Sequence, residues 1–540
     1  MTGADAIVKC LEEENVEYVF GYPGVAICPF YNSILSSDIR TILVRSEQNA
    51  AHAASGYSRT SGKVGVCVVT SGPGATNLIT GIATAFADSI PIVCITGQVD
   101  SSLLGSDVFQ EADITGAVES FVKYSYLVKD VNDIPRIIKE AFYVADSGRR
   151  GPVLIDIPCD IQNSSINKFK YPETVNMRTY KPTVKGHIVQ IRKVMSELAK
   201  SRRPIICAGG GVHLGNADNE LRKLSEKYNI PVVSTMMGLG VLPTKHPLYY
   251  GMVGNNGKPY ANRAMNESDL LIMVGARAAD RAVSQPELIM ENKVLVHMDA
   301  DPAEIGKNVG PTIPLVGDAK NIITEMLSEE EITCEHDEWI NTLNNYRKTM
   351  EPVRHPDPKY VDPAAFITRL SEKMDDDSIY VADVGQNQIW SCGYHIVKEG
   401  GRFLTSGGMG TMGYSIPAAI GARLAQPDRQ IVAVCGDGSF QMSMMELATM
   451  RQHGIKIKII VMNNNYLGMV REYQHYTYKD HYSVVALDGS PDLEKLAPAF
   501  GIHYQRLDDM RSCDSEIGKF LQDDESVLLE CRIDPMDTVK

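Results

Sequence analysis

Asp437-Gly-Ser439 closes the apolar run Gln430–Cys435, and Asn463-Asn464-Asn465 closes a second run, Ile457–Met462, about one crossover unit later. Both runs are strand-length and rich in β-branched residues, and Met442 to His453, stopped by Gly454, reads as a helix between them. The segment is predicted to be a βαβ unit with parallel strands. A right-handed crossover puts both strand ends on one edge of the sheet, where open α/β sheets bind ligands. A carboxylate from Asp437 and an amide oxygen from Asn464 are too few to cage a hard cation. Mg²⁺, however, keeps several waters and accepts ligand phosphates to complete its shell. The pair points to a metal–diphosphate site, and Gly436 and Gly438 let the backbone approach a phosphate closely.

Glu47 follows the strand-like run Ile42–Arg45 and opens a helix, Glu47 to Arg59. An acidic residue in a first helical turn needs no catalytic explanation, because it complements the helix dipole. The face behind it is unusual in being small: Ala50, Ala51, Ala53, Ala54 and Gly56 would let the helix pack closely against another element. Ser71-Gly-Pro-Gly-Ala75, after the run Val64–Val69, reads as a tight turn into a helix from Ala75 to Asp88, a generic anion site. Gly209-Gly-Gly211 also follows a strand-like run but lacks the full Gly-x-Gly-x-x-Gly spacing of a dinucleotide fingerprint.

These residues must be positioned by more than one domain. A chain of 540 residues exceeds a single ordinary core. Alternating strand-like and helical stretches define a first α/β domain, 1–165, and a second, 186–330, which begins at Pro204–Gly211 and continues through Leu270–Gly275 and Val294–Met298. A third, 362–535, carries Asp437 and Asn464. Residues 163–185 and the charged, proline-dotted region from Glu329 to Pro363 read as linkers, the latter with a short helix. No internal repeat is visible in the sequence. The fold class expected is α/β, with three doubly wound parallel sheets.

A net charge of −14 without a sustained basic run argues against nucleic acid or an anionic membrane as partner. No apolar stretch reaches the roughly 18 residues needed to span a bilayer. Eleven cysteines without Cys-x-x-Cys spacing fit reduced thiols. The helical pattern from Ala4 to Glu14, with Thr2 as cap, leaves no room for a secretory signal, so a cytoplasmic protein is expected.

The Gly-Asp-Gly and Asn-Asn pairing resembles the thiamin diphosphate motif, and further motifs extend the resemblance over the whole chain. Gly21-Tyr-Pro-Gly24, Ser46-Glu-Gln48, Thr70–Asn77, Thr96-Gly-Gln98, Phe109-Gln-Glu111, Gly151-Pro-Val, Gly275-Ala-Arg277, Gly407-Gly-Met-Gly410 and Gly436–Phe440 occur in the order of the acetohydroxyacid (acetolactate) synthase catalytic subunits. The resemblance implies two thiamin diphosphate-binding folds flanking a Rossmann-like domain, and a role for each matching residue. Asp437, Asn464 and the Tyr466 carbonyl would hold Mg²⁺. Gln386, Asn387, Gly410, Met412, Gly438, Ser439, Gly468 and Met469 would contact the cofactor, with Met412 as the wedge that bends it. Glu47 would hydrogen-bond the aminopyrimidine and favour its imino tautomer. Phe109 and Gln110 would line the reaction pocket, and Arg281 would pair with the carboxylate of the second substrate. Gly209, Gly210, Thr235, Met236, Val253, Gly254, Arg277, Asp299 and Asp318, helped by Lys123 and Arg149, stand where that family binds FAD.

The implied reaction joins pyruvate, after loss of carbon dioxide, to a second 2-keto acid, giving 2-acetolactate. Implied partners are a second copy of the chain, in a dimer or tetramer, and a regulatory small subunit. The chain departs from the family's pattern at several positions. Asn255-Asn256 replaces Met-His and Ala278-Ala279 replaces Phe-Asp, which would weaken flavin affinity. Asn387 replaces His, Val25 replaces Gly, and Cys159 replaces Lys. Tyr473 replaces the Trp that favours 2-ketobutyrate. The sequence ends at Lys540, short of the tail that folds over the family's site, so closure is expected to be incomplete. Alternatives are another thiamin diphosphate-dependent 2-keto acid decarboxylase or acyl-CoA lyase, a nicotinamide dehydrogenase built on Gly209, and a non-catalytic protein of the same fold.

Overall fold

Continuous β-branched runs such as Gly65–Val69, Ile92–Gln98 and Leu270–Val274 are buried at every position, as strands covered by helices on both faces must be. The computed structural model describes residues 1–283, 285–351 and 353–539. Its strands form three six-stranded sheets, parallel throughout. The first contains β1 (Tyr18–Tyr22), β2 (Arg40–Leu43), β3 (Gly65–Val69), β4 (Ile92–Gln98), β5 (Tyr124–Leu127) and β6 (Val153–Pro158). The second contains β7 (Pro204–Ala208), β8 (Val232–Ser234), β9 (Tyr249–Met252), β10 (Leu270–Val274), β11 (Val294–Asp299) and β12 (Ile313–Val316). The third contains β13 (Ile379–Ala382), β14 (Arg402–Leu404), β15 (Ile431–Gly436), β16 (Lys458–Asn463), β17 (His503–Leu507) and β18 (Val527–Arg532).

The first and third sheets share one strand order, β2-β1-β3-β4-β6-β5 and β14-β13-β15-β16-β18-β17, so a repeat invisible in the sequence is plain in the topology. The middle sheet runs β12-β11-β10-β7-β8-β9, the Rossmann order, whose strand direction of travel reverses between β7 and β10. The α/β class and the Rossmann-like centre expected from the sequence are both present.

The first and third domains are joined through small residues. The helix Glu47–Ser61 lies against the helix Ser415–Ala425 so closely that a Cβ on Gly56 would sit 2.0 Å from Ala418 O, and one on Gly421 would sit 1.9 Å from Ala53 O. One hydrophobic core therefore runs from Ala50, Ala53 and Tyr57 to Ile416, Ala419 and Leu447.

Local boundaries differ from expectation in three places. The single helix predicted for Met442–His453 is instead a helix Asp437–Ser443, a 3₁₀ turn Met444–Glu446 and a helix Leu447–His453. The break occurs at Ser443 (φ −133°, ψ 6°), and Glu446 beyond it is wholly buried. The helix predicted from Ala75 begins at Pro73 and is divided at Leu78. The short helix expected within the Glu329–Pro363 linker runs over 13 residues, Asp337–Thr349, and docks on the second sheet: Trp339 is buried there and its Nε1 donates to Pro204 O at 3.0 Å. Among the described residues no helix is long and apolar enough to cross a membrane.

Candidate active site

β15 and β16 are neighbours in register, Gly436 beside Met462, so Asp437 and Asn464 emerge together at the carboxyl edge of the third sheet. Asp437 is 4% exposed, and its Oδ2 has no hydrogen-bond partner. Burial pushes its carboxyl up to about 7, against the pull of backbone N–H groups of Asn465, Gly438 and Asp437 itself. Asn464 Oδ1 accepts from Tyr466 N at 3.0 Å and keeps a second lone pair, while its Nδ2 donates to Gln386 Oε1 at 3.2 Å. A buried carboxylate oxygen left without a partner is costly, and a cation satisfies it. The donor set fits Mg²⁺: one carboxylate, one amide oxygen and a backbone carbonyl, with the rest of the shell left to water and phosphate.

The surroundings form a narrow cradle. A Cβ on Gly438 would lie 2.8 Å from Leu467 Cδ2 and 3.6 Å from Met412 Cε, and one on Gly468 only 2.0 Å from Gln386 Oε1. Gln386 Nε2 donates to Glu472 Oε2 (2.9 Å) and Asp537 O (3.0 Å), which ties the residues near the carboxyl end of the chain to this edge. Asn387 Nδ2 bridges Asp383 O (2.9 Å) and Val434 O (3.3 Å), holding the ends of β13 and β15 together. Ser439 Oγ accepts from Gly436 N at 3.1 Å. Gly410 adopts φ +69° with open space around it. Asp383, which the sequence reading did not single out, is fully buried and accepts from Gly413 N and Ser415 N, both at 2.8 Å. It thereby fixes the loop carrying Gly410 and Met412. An acidic residue directly after a buried strand was the available signal.

A second set gathers at the carboxyl edge of the first sheet. Glu47 Oε2 accepts from Asn77 Nδ2 at 2.9 Å, and a Cβ on Gly74 would lie 3.5 Å from Glu47 Oε1. The neighbouring Gly72 backs onto Gln110, whose φ is +60°. Phe109 is 87% exposed. The loop bearing Phe109 and Gln110 is held by Glu111, which accepts from the Gly105 and Val108 amides, and by Gln98 Nε2, which donates to Ala112 O at 2.7 Å. Gln98 is in turn held by buried Asp156, which accepts from Gln98 Nε2 (3.0 Å) and Thr96 Oγ1 (2.6 Å). Within one chain no hydrogen bond among the described residues joins Glu47 to Asp437, Asn464 or Gln386.

A cavity of about 940 Å³ opens at the β7/β10 switch point. Gly210, Thr235, Met236, Val253, Arg277, Asp299 and Asp318 line it, with Arg149 from the first domain and Gly410 and Met469 from the third. Glycines permit its shape: a Cβ on Gly209 would meet Gly275 O at 2.2 Å. Arg149 is drawn to Asp301 and Glu304, both at 3.2 Å, and Arg277 Nη2 donates to Ala87 O at 2.7 Å. The volume and the glycine-walled switch point fit a dinucleotide such as FAD. Arg281 lies at the rim, 81% exposed at its side chain, with Asp280 3.9 Å away. Tyr473, also exposed, packs edge-on against Tyr478.

Three residues expected at the flavin do not line this cavity. Lys123 is turned away: its Nζ donates to Val144 O, to Ser147 O (2.7 Å) and to Tyr180 Oη (2.8 Å), and burial pushes its ammonium down to about 7. It closes the end of the helix Ile134–Asp146 instead. Gly209 is spent on the contact with Gly275, and Gly254 is paired with the Asn262 amide at 2.8 and 2.9 Å.

Two sheets of identical order, one presenting Glu47 and a Gly-rich turn and the other Asp437 with an unpartnered oxygen beside Asn464, flank a Rossmann-ordered sheet with a dinucleotide-sized cavity. That layout defines a thiamin diphosphate enzyme. Three family descriptions match the chain: "Thiamine pyrophosphate enzyme, N-terminal TPP binding domain" over residues 1–117, "central domain" over 191–326 and "C-terminal TPP binding domain" over 383–531. The chain is 42% identical to the acetolactate synthase large subunit of Lactococcus lactis over 98% of this chain and 92% of that protein. It is 41% identical to the acetolactate synthase of Arthrospira platensis (99% and 94%) and 44% identical to that of Mycobacterium bovis (93% and 83%). The chain belongs to the thiamin diphosphate enzyme family, in its acetolactate synthase large-subunit branch.

Proposed function

We propose that the protein decarboxylates pyruvate and transfers the resulting two-carbon unit to a second 2-keto acid, forming 2-acetolactate, with thiamin diphosphate, Mg²⁺ and FAD bound. The observation that carries this reading is the buried, partnerless Oδ2 of Asp437 beside Asn464, on the sheet edge where a diphosphate would complete a cation shell. Bound thiamin diphosphate supplies the carbon nucleophile and the electron sink for loss of carbon dioxide.

The chain's own residues do the rest. Asp437, Asn464 and the Tyr466 carbonyl hold the cation and so anchor the diphosphate. Met412, beside Gly438, would support the cofactor, and Gln386, Asn387, Ser439, Gly468 and Met469 would fix its position. Glu47 would hydrogen-bond the aminopyrimidine ring and favour the tautomer that acts as internal base. Phe109 and Gln110 wall the reacting carbon from water. Arg281 takes the carboxylate of the acceptor in a bidentate pair. The cavity between the three domains would hold FAD in a structural role, with Arg149 and Arg277 among the residues that would contact it.

Glu47 sits at the edge of the first sheet and Asp437 at that of the third, with no hydrogen bond between them among the described residues, which is in keeping with an active dimer in which each chain would complete its partner's site. The large-subunit names of relatives support a separate regulatory small subunit. The free state of all eleven cysteines supports a reducing, cytoplasmic setting. Tyr473, in place of a Trp, supports pyruvate as the acceptor over the larger 2-ketobutyrate.

Product analysis tests the reading. Incubated with thiamin diphosphate, Mg²⁺, FAD and pyruvate, the protein is expected to form acetolactate, and the activity is expected to vanish without thiamin diphosphate. Acetaldehyde in place of acetolactate would make it a simple decarboxylase.

A further inference from the structure

The strand that leads into Glu47 is anchored by the third domain, not only by its own. β2 is an edge strand, paired to β1 alone, and the chain leaves it at Leu43 to reach Glu47. There the backbone meets one face of the segment Glu446–His453. Leu43 N donates to His453 Nε2 at 3.0 Å, and Arg45 N donates to Glu446 Oε1 at 2.9 Å. Asn49 Nδ2, one turn into the helix, donates to the same Glu446 Oε1 at 2.9 Å. Thr449 Oγ1 lies 2.6 Å from Glu446 Oε2 and 3.1 Å from Leu43 O. Arg45 Nη2 adds a bond to Gln452 Oε1 at 2.6 Å.

Glu446 is wholly buried. A carboxylate there is costly unless directional donors surround it, and apolar packing would have joined the two domains without that cost. Beside the Thr449 hydroxyl of its own segment, its donors come from residues 45 and 49, on either side of Glu47. The 3₁₀ turn that interrupts the helix expected over Met442–His453 is what brings Glu446 inward. We propose that Glu446 is a positioning residue for the reaction: it fixes the helix end that carries Glu47 and so sets where the Glu47 carboxyl meets the cofactor. The proposal rests on the reading of Glu47 given above. A misplacement of about 1 Å at such a group is enough to cost on the order of 10²-fold in rate.

Glu446→Ala and Glu446→Gln separate geometry from charge. A Gln keeps an oxygen for Arg45 N and Asn49 Nδ2 and offers its amide to the Thr449 hydroxyl. Glu446→Ala is expected to lower kcat about 10- to 100-fold with the pyruvate KM within about 2-fold, and Glu446→Gln to stay within about 3-fold of the native enzyme. In a Glu47→Gln background, Glu446→Ala should cost no more than about a further 2-fold, because the two act as one unit. A full additive loss there, or a native kcat for Glu446→Ala, would overturn the proposal. Should Glu446→Ala not fold, Asn49→Ala reads the same anchor and should lower kcat in the same direction; native kcat would overturn it. Hydrogen exchange of the Arg45 amide, measured on the full chain without cofactor, should speed up in Glu446→Ala and not in Glu446→Gln. Faster exchange alongside a fully active Glu47→Gln would instead locate the failure in the role given to Glu47.

Discussion

Asp437, just past β15, and Asp156, within β6, are both buried carboxyls that burial pushes up to about 7, yet their surroundings differ. Asp156 has both oxygens occupied by Thr96 and Gln98, whereas Asp437 Oδ2 faces no donor. The first braces the Phe109–Gln110 loop through Gln98, and the second is the one proposed above to meet a cation. Asp156 has a consequence for stability. Its folded pKa lies above the ordinary carboxyl value, so the folded state binds the proton more tightly. The stability it contributes is present at low pH and is lost as pH rises from about 4 through about 7. Between about pH 5 and about pH 8, urea unfolding should show the native protein losing on the order of 2 kcal/mol more than Asp156→Asn. Equal losses would mean that Asp156 stays ionised throughout. At this scale Asp437, Asn464 and Glu47 were legible, because a polar residue just past a β-branched run signals a sheet edge. Asp383 carried the same signal just past β13 and was passed over, whereas Asp156 and Glu446 were not legible, since only the fold brings their partners to them. Lys123 shows the converse: its motif match suggested flavin, but Tyr180 and two helix-end carbonyls take its ammonium.

Among the elements, the contact between the helices Glu47–Ser61 and Ser415–Ala425 decides how the two half-site domains sit. In an exposed helix, Gly→Ala is favourable by about 1 kcal/mol. At Gly421 the added Cβ would lie 1.9 Å from a backbone oxygen, Ala53 O, which no side-chain rotation can relieve. Overpacking wins, and Gly421→Ala is expected to destabilise by about 2–3 kcal/mol net, read as a lowered denaturant midpoint. An unchanged or raised midpoint would show that the helices can part freely. The Ala- and Gly-rich face predicted that some neighbour comes close; which neighbour it is could not be read, because the partner helix begins more than three hundred residues later. Strand positions were legible where runs were continuous and apolar. The broken helix over 437–453 was not, because Glu446 is pulled in by a tertiary contact that periodicity does not encode.

For the whole molecule, the shared strand order of the first and third sheets presents two matching edges, one with Glu47 and one with Asp437. In the proposed enzyme these edges meet across two chains to make one thiamin diphosphate site. Complementation between two inactive variants tests it. Glu47→Gln should retain cofactor binding, and Asp437→Ala should lose it; each alone should form acetolactate at below about 1% of the native rate. Mixed in equal amounts and allowed to exchange subunits, the two give hybrid dimers in which one site carries both native residues. Symmetry then predicts recovery to about a quarter of native acetolactate formation. No recovery from demonstrated hybrids, or near-native activity from either variant alone, would rule out a site shared between two chains.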